Sequence, residues 1–146
     1  MNLIRKLVSQ FLRPRSRRKP WQWAEEKLTL DKTSPFPGKY RGDTAPWTKL
    51  PLEKWAQTGI RYVVVRCPAQ TGKTQLGIVA VGYAIDEDPG PLQWTMAAAD
   101  EAKTFSKTRL TPTLESVDSI REQMPKSRSG KMVCEINFPQ SPLVIT

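Results

Sequence analysis

Apolar positions along the chain fall into short runs separated by proline- and glycine-rich breaks, and the period of each run predicts an element. Leu3, Ile4, Leu7, Val8, Phe11 and Leu12 share one face of a helix expected over Met1 to Leu12. Arg13 to Pro20 reads as a basic, proline-bounded linker. Trp21 to Leu28 predicts a short helix with an aromatic face, and Thr33 to Gly38 a cluster of turns. Pro46 to about Thr58 holds another short helix, carrying Leu50, Leu52 and Trp55.

From Arg61 onward the pattern alternates between the two periods. Arg61-Tyr62-Val63-Val64-Val65-Arg66 is a β-branched run expected as a strand. A helix-like run then extends toward Ile85 and stops at Asp86-Glu87-Asp88-Pro89-Gly90-Pro91. Leu92 to Met96 predicts a strand. Ala97 to about Leu110 predicts a helix with Ala98, Ala102, Phe105 and Leu110 apolar, and Pro112 starts another through Ile120. After a basic turn over Pro125 to Gly130, Lys131 to Phe138 alternates as one strand, with Met132, Cys134, Ile136 and Phe138 facing one way. Leu143 to Thr146 begins a further strand. Strands alternating with helices imply a parallel sheet.

The chemistry lies between the first strand and helix of this part, in Cys67-Pro68-Ala69-Gln70-Thr71-Gly72-Lys73-Thr74. A strand, a tight loop ending Gly-Lys-Thr and a helix together form a phosphate-binding arrangement. Gly72 lets the backbone approach an anion without a Cβ in the way. The N–H groups of Ala69, Gln70, Thr71 and the first helical turn point at the phosphates, where the helix dipole favours negative charge. Lys73 reaches the β- and γ-phosphates, and the Thr74 hydroxyl ligates Mg²⁺. The expected ligand is therefore ATP with Mg²⁺. The match is incomplete: Cys67 stands where the usual pattern has glycine, and Pro68 has no N–H to donate.

The expected fold class is accordingly α/β, a partial P-loop NTPase parallel sheet with flanking helices, preceded by an irregular or helical basic N-terminal arm. Residues 1–20 form the amphipathic helix and linker, 21–60 an irregular segment on the adenine side, and 61–146 the partial ATPase core.

Charge adds a second theme. Of 146 residues, 23 are basic and 14 acidic, a net charge of +9. Arg5, Lys6, Arg13, Arg15, Arg17, Arg18 and Lys19 all precede the first acid, Glu25, and without them the balance is about +2. Such an arm is either a contact for phosphate backbone or an acidic partner, or a solvated tail. The Met1–Leu12 helix suits partner docking, with packing on its own domain as the alternative. Histidine is absent, which excludes histidine acid–base chemistry and histidine zinc sites. Cys67 and Cys134 show no metal or redox spacing, and no apolar run reaches the length of a membrane span.

Hydrolysis requires an acid at the end of a second apolar strand, to hold Mg²⁺ and polarise water. The one string of that form, Val81 to Glu87, begins inside the helix launched by Lys73, which puts Asp86 about 20 Å from the lysine. Those acids read as a solvated helix end. The core also shows fewer strands than a P-loop domain needs, so the expectation is a fragment cut before its second motif.

Several short segments, in order, resemble the N-terminal ATPase region of phage terminase large subunits of the lambda-like GpA family. Trp23-Ala24-Glu25 is similar to the family's Trp-Ala-Asp, and Gly38-Lys39-Tyr40-Arg41 with Ala45-Pro46-Trp47 to its next two segments. Pro68 to Thr74 resembles its Ser-Ala-Gln-Val-Gly-Lys-Thr loop, which often lacks the first glycine. Asp88 to Pro91, and Asp100 to Pro112, are similar to its following strand and helix. The resemblance covers about Trp21 to the C-terminus. It implies a motor that packages double-stranded DNA into a capsid in the bacterial host cytoplasm, with a nuclease after the ATPase. It implies as partners the small terminase subunit, met by the basic N-terminus, and the capsid portal. It also implies that the segment with Trp47 helps hold adenine, on which Trp47 stacks; the alternative for this residue is packing in the core. Thr48 replaces the family's glutamine beside it. A second reading makes the chain a non-catalytic interaction fragment, a prophage remnant docking on DNA or on the small subunit.

Overall fold

The computed structural model describes residues 18–30, 32, 34–125 and 131–146. The helix expected over Met1 to Leu12, the linker up to residue 17 and most of the turn before Lys131 lie outside the described residues. The architecture is mixed α/β. In chain order it comprises α1 (Pro20–Lys27), β1 (Thr29–Leu30), β2 (Gly38–Lys39), 3-10 turns at Gly42–Thr44 and Pro46–Thr48, α2 (Lys49–Trp55), α3 (Lys73–Glu87), β3 (Leu92–Trp94), α4 (Ala99–Phe105), a π-helical stretch Ser106–Leu110, α5 (Thr111–Glu115), α6 (Asp118–Gln123), β4 (Lys131–Met132), β5 (Glu135–Asn137) and β6 (Pro142–Ile145).

The apolar helix launched by Lys73 is the axis of the core. Every residue of α3 from Ile78 to Asp86 is buried. A helix covered on all sides needs room for its neighbours, and two glycines provide it. A Cβ on Gly82 would lie 2.6 Å from the Trp23 ring, and one on Gly77 only 2.4 Å from the Trp94 ring. Trp23 also meets Tyr83 edge-on at 6.3 Å, and Trp94 packs on Phe105 at 4.7 Å. Trp23, Leu28, Tyr40 and Leu52 therefore share one core with α3, Leu114, Ile120 and the sheet residues Ile136, Leu143 and Ile145.

From sequence Asp86 and Glu87 read as a solvated helix end, and the structure corrects this: Glu87 is half-buried beside Arg18 and Lys27, and Asp86 is buried. Asp86 is buried and accepts hydrogen bonds from Trp23 Nε1 and Lys27 Nζ, both at 2.7 Å. Burial pushes its carboxyl up, but the bonds from Lys27 and Trp23 outweigh burial and leave it below the usual carboxylate value. The acid thus fastens α1 to the C-terminal end of α3.

The sheet differs from the expected parallel one. Its order is β3-β6-β5-β4, and only β3 and β6 run parallel, with Gln93 opposite Val144. The other pairs are antiparallel, because the run expected as one strand over Lys131–Phe138 folds back on itself. Val133 and Cys134 form the turn, and the buried Ser106 hydroxyl donates to the Val133 carbonyl from the π-helical stretch. Period-two alternation continues through a tight hairpin, so the pattern alone does not reveal that turn.

The largest departure is at residues 61–66. The run belongs to no sheet among the described residues, and no backbone–backbone hydrogen bond there holds it. Tyr62 is 87% exposed and Val64 91%. β-branched residues favour extended backbone, but a strand is made by a neighbouring ladder, and no described strand lies beside this one.

Candidate functional site

The loop from Cys67 to Gly72 joins the exposed segment to α3. Two of its residues are left-handed: Gln70 at φ +59°, the one such non-glycine residue among those described, and Gly72 at φ +86°. Gly72 is also the N-cap of α3, and its carbonyl accepts the first helical bond from Leu76 N–H at 2.9 Å. The N–H groups of Lys73, Thr74 and Gln75 therefore stand at a helix N-terminus without intrahelical partners. A Cβ at Gly72 would touch only Ala45, at 3.9 Å, so conformation rather than space reserves this position for glycine.

Side chains close the loop on itself. Lys73 Nζ donates to the Cys67 carbonyl at 3.0 Å, and Thr71 Oγ1 donates to the Pro68 carbonyl at 2.8 Å. Lys73 is exposed, and its ammonium bonds the loop rather than a carboxylate. Thr74 follows in the first turn of α3. It lines an open groove of ≈500 Å³ whose other walls include Met96, Asp100 and Glu101 from the start of α4, and Thr108 and Arg109 from the π-helical stretch. In that helix Thr104 Oγ1 donates to Asp100 O and Thr108 Oγ1 to Thr104 O, bonds that bend a helix.

The upstream segment meets the loop directly. Trp47 Nε1 donates to the Thr71 carbonyl at 3.0 Å, and Ala45 lies beside Gly72. Trp47 is held there by a tight turn: the buried Thr48 donates both its hydroxyl and its N–H to Ala45 O, at 2.7 and 3.0 Å, and Pro46 opens the turn. The indole is nevertheless 56% exposed. The structure thus brings together Trp47, Thr71 and Gly72, with Lys73 folded over Cys67. Ala69 and Gln70 are exposed at the loop tip. Sequence reasoning passed over the groove beside Thr74 and the contact of Ala45 with Gly72, for which no motif exists.

A family model, phage terminase large subunit gpA, ATPase domain, matches residues 34–146. The chain belongs to this family. The match spans the loop, the upstream segment with Trp47, the groove and the whole sheet. Comparison with the curated proteins and with the solved structures returned no match. Membership in a terminase ATPase family implies a role in phage DNA packaging and the use of a nucleotide. Asp86 of this terminase domain is the acid of the strand-like string Val81 to Glu87, and it occupies the end of α3 opposite Lys73. Among the described residues no cluster of three or more cysteine and carboxylate side chains is placed to hold a metal, and no helix is long and apolar enough to cross a membrane.

Proposed function

We propose that this chain binds ATP with Mg²⁺ at the Cys67–Thr74 loop, as the nucleotide-binding part of a phage DNA-packaging motor. The observation that carries the reading is the loop's geometry. Left-handed Gln70 and Gly72 curl the backbone at the open N-terminus of a 15-residue helix, where main-chain N–H groups and the dipole favour an anion. The residues fit the ligand. Ala69 to Gly72 and the first turn of α3 cradle phosphates with backbone N–H groups. Lys73 exchanges its bond to the neutral Cys67 carbonyl for one to a phosphate oxygen, in which both partners are charged. Thr74 supplies a hydroxyl ligand for Mg²⁺, and the exposed face of Trp47 is available to the base. Bound Mg²⁺ neutralises charge on the phosphates.

Turnover by the 146 residues alone is slow on this reading, because Asp86 is committed to Trp23 and Lys27 at the far end of α3. DNA, the small terminase subunit and the portal are the partners, and the bacterial host cytoplasm the place of action. Family membership supports these, and the basic arm supports the first two.

One observation favours a different reading, a non-catalytic interaction fragment: the run before the loop lies outside the sheet with Tyr62 and Val64 exposed. Titration with ATP·Mg²⁺ separates the two. The nucleotide reading expects saturable binding lost in Lys73→Ala, with an ATPase rate barely above background. Absence of binding at millimolar ATP overturns it and favours the interaction fragment. Rapid, lysine-dependent hydrolysis overturns the assignment of slow turnover.

A further inference from the structure

The contact between Trp47 and the loop carries a second conclusion, which rests on the nucleotide reading. A peptide unit is planar and trans, so its C=O and N–H point in opposite directions. The indole N–H of Trp47 holds the Thr71 carbonyl at 3.0 Å. The Gly72 N–H, on the other side of the same peptide plane, is therefore turned away from Trp47. This peptide is free to rotate, because it precedes a glycine at φ +86° that tolerates either orientation. If it rotates, the loop presents a carbonyl oxygen where it had presented an N–H, and an anion is repelled instead of bound.

We propose that Trp47 is a positioning residue for phosphate binding: its indole N–H locks the Thr71–Gly72 peptide in the orientation that directs the Gly72 N–H at the anion. This role is separate from any contact between the ring face and a base. The rigid Ala45–Thr48 turn, with Thr48 buried, makes the lock effective, since the indole is presented from a fixed backbone.

The test compares Trp47→Phe, which keeps an aromatic face but loses the N–H, with Trp47→Ala, which loses both. Ligands are ATP·Mg²⁺ and inorganic tripolyphosphate, which has no base. The lock predicts that Trp47→Phe weakens both ligands alike, by about fivefold, the worth of one hydrogen bond. Trp47→Ala then weakens tripolyphosphate no further. Unchanged tripolyphosphate binding in Trp47→Phe overturns the proposal while leaving the nucleotide reading intact. A wild-type chain that binds neither ligand overturns the nucleotide reading instead. In that event NMR of the ligand-free chain still decides the lock. Trp47→Phe is expected to move the Gly72 HN–Hα scalar couplings, which report its φ, toward averaged values while those of the α3 interior stay unaltered, and unchanged Gly72 couplings overturn it.

Discussion

The two ends of α3 are built in opposite ways. At the C-terminal end, Asp86 is sealed under Trp23 and Lys27, Glu87 faces Lys27 at 3.7 Å and Arg18 at 3.5 Å, and Gly82 admits the Trp23 ring. At the N-terminal end, the loop is held by three exposed hydrogen bonds, from Trp47, Thr71 and Lys73, and the chain entering it has no sheet partner. One end anchors the helix and the other presents its first turn. On the proposed nucleotide reading, the end that admits and releases an anion is the weakly held one, as ligand-binding loops generally are.

The comparison is broken most severely at the anchored end. Asp86→Ala leaves the Trp23 N–H and Lys27 without their acceptor and is expected to cost about 3 kcal/mol in chemical denaturation. The same carboxyl makes the anchor acid-sensitive. Its folded value lies below the unfolded one of about 3.9, so its contribution is complete above that pH and is lost as pH falls through the folded value. A denaturation series from pH 6 to pH 2 is expected to show a shallower acid loss in Asp86→Ala than in the wild type, and equal slopes contradict the assignment.

Gly82→Ala comes next. Overpacking against Trp23 costs about 1–3 kcal/mol, and the better helix propensity of alanine returns up to about 1. A net loss of about 1–2 kcal/mol is expected, and a gain in stability shows that the Trp23 contact is looser than described. At the open end, Tyr62→Ser is expected to change stability by less than about 0.5 kcal/mol, since the side chain is almost fully exposed. A loss comparable to that of Gly82→Ala shows the two ends to be alike.

Local pattern made much of this legible. The helices at Trp21, Leu50 and Lys73 and the strands at Leu92 and Leu143 follow from periodicity, and Gly-Lys-Thr falls at the N-terminus of α3. What escaped depends on distant partners. Asp86 is buried by a tryptophan 63 residues away, which no window around the acid contains. Gly77 and Gly82 were the available signal, since glycine inside a helix marks a close approach. The Arg61–Arg66 run carries every local mark of a strand except a neighbour to pair with.

Hydrogen exchange with and without ATP·Mg²⁺ tests the central claim most directly. The account predicts new protection confined to Gly72, Lys73, Thr74 and Gln75, with Val81 to Glu87 unchanged and the effect absent in Lys73→Ala. Protection that appears elsewhere, or that persists without the lysine, contradicts it.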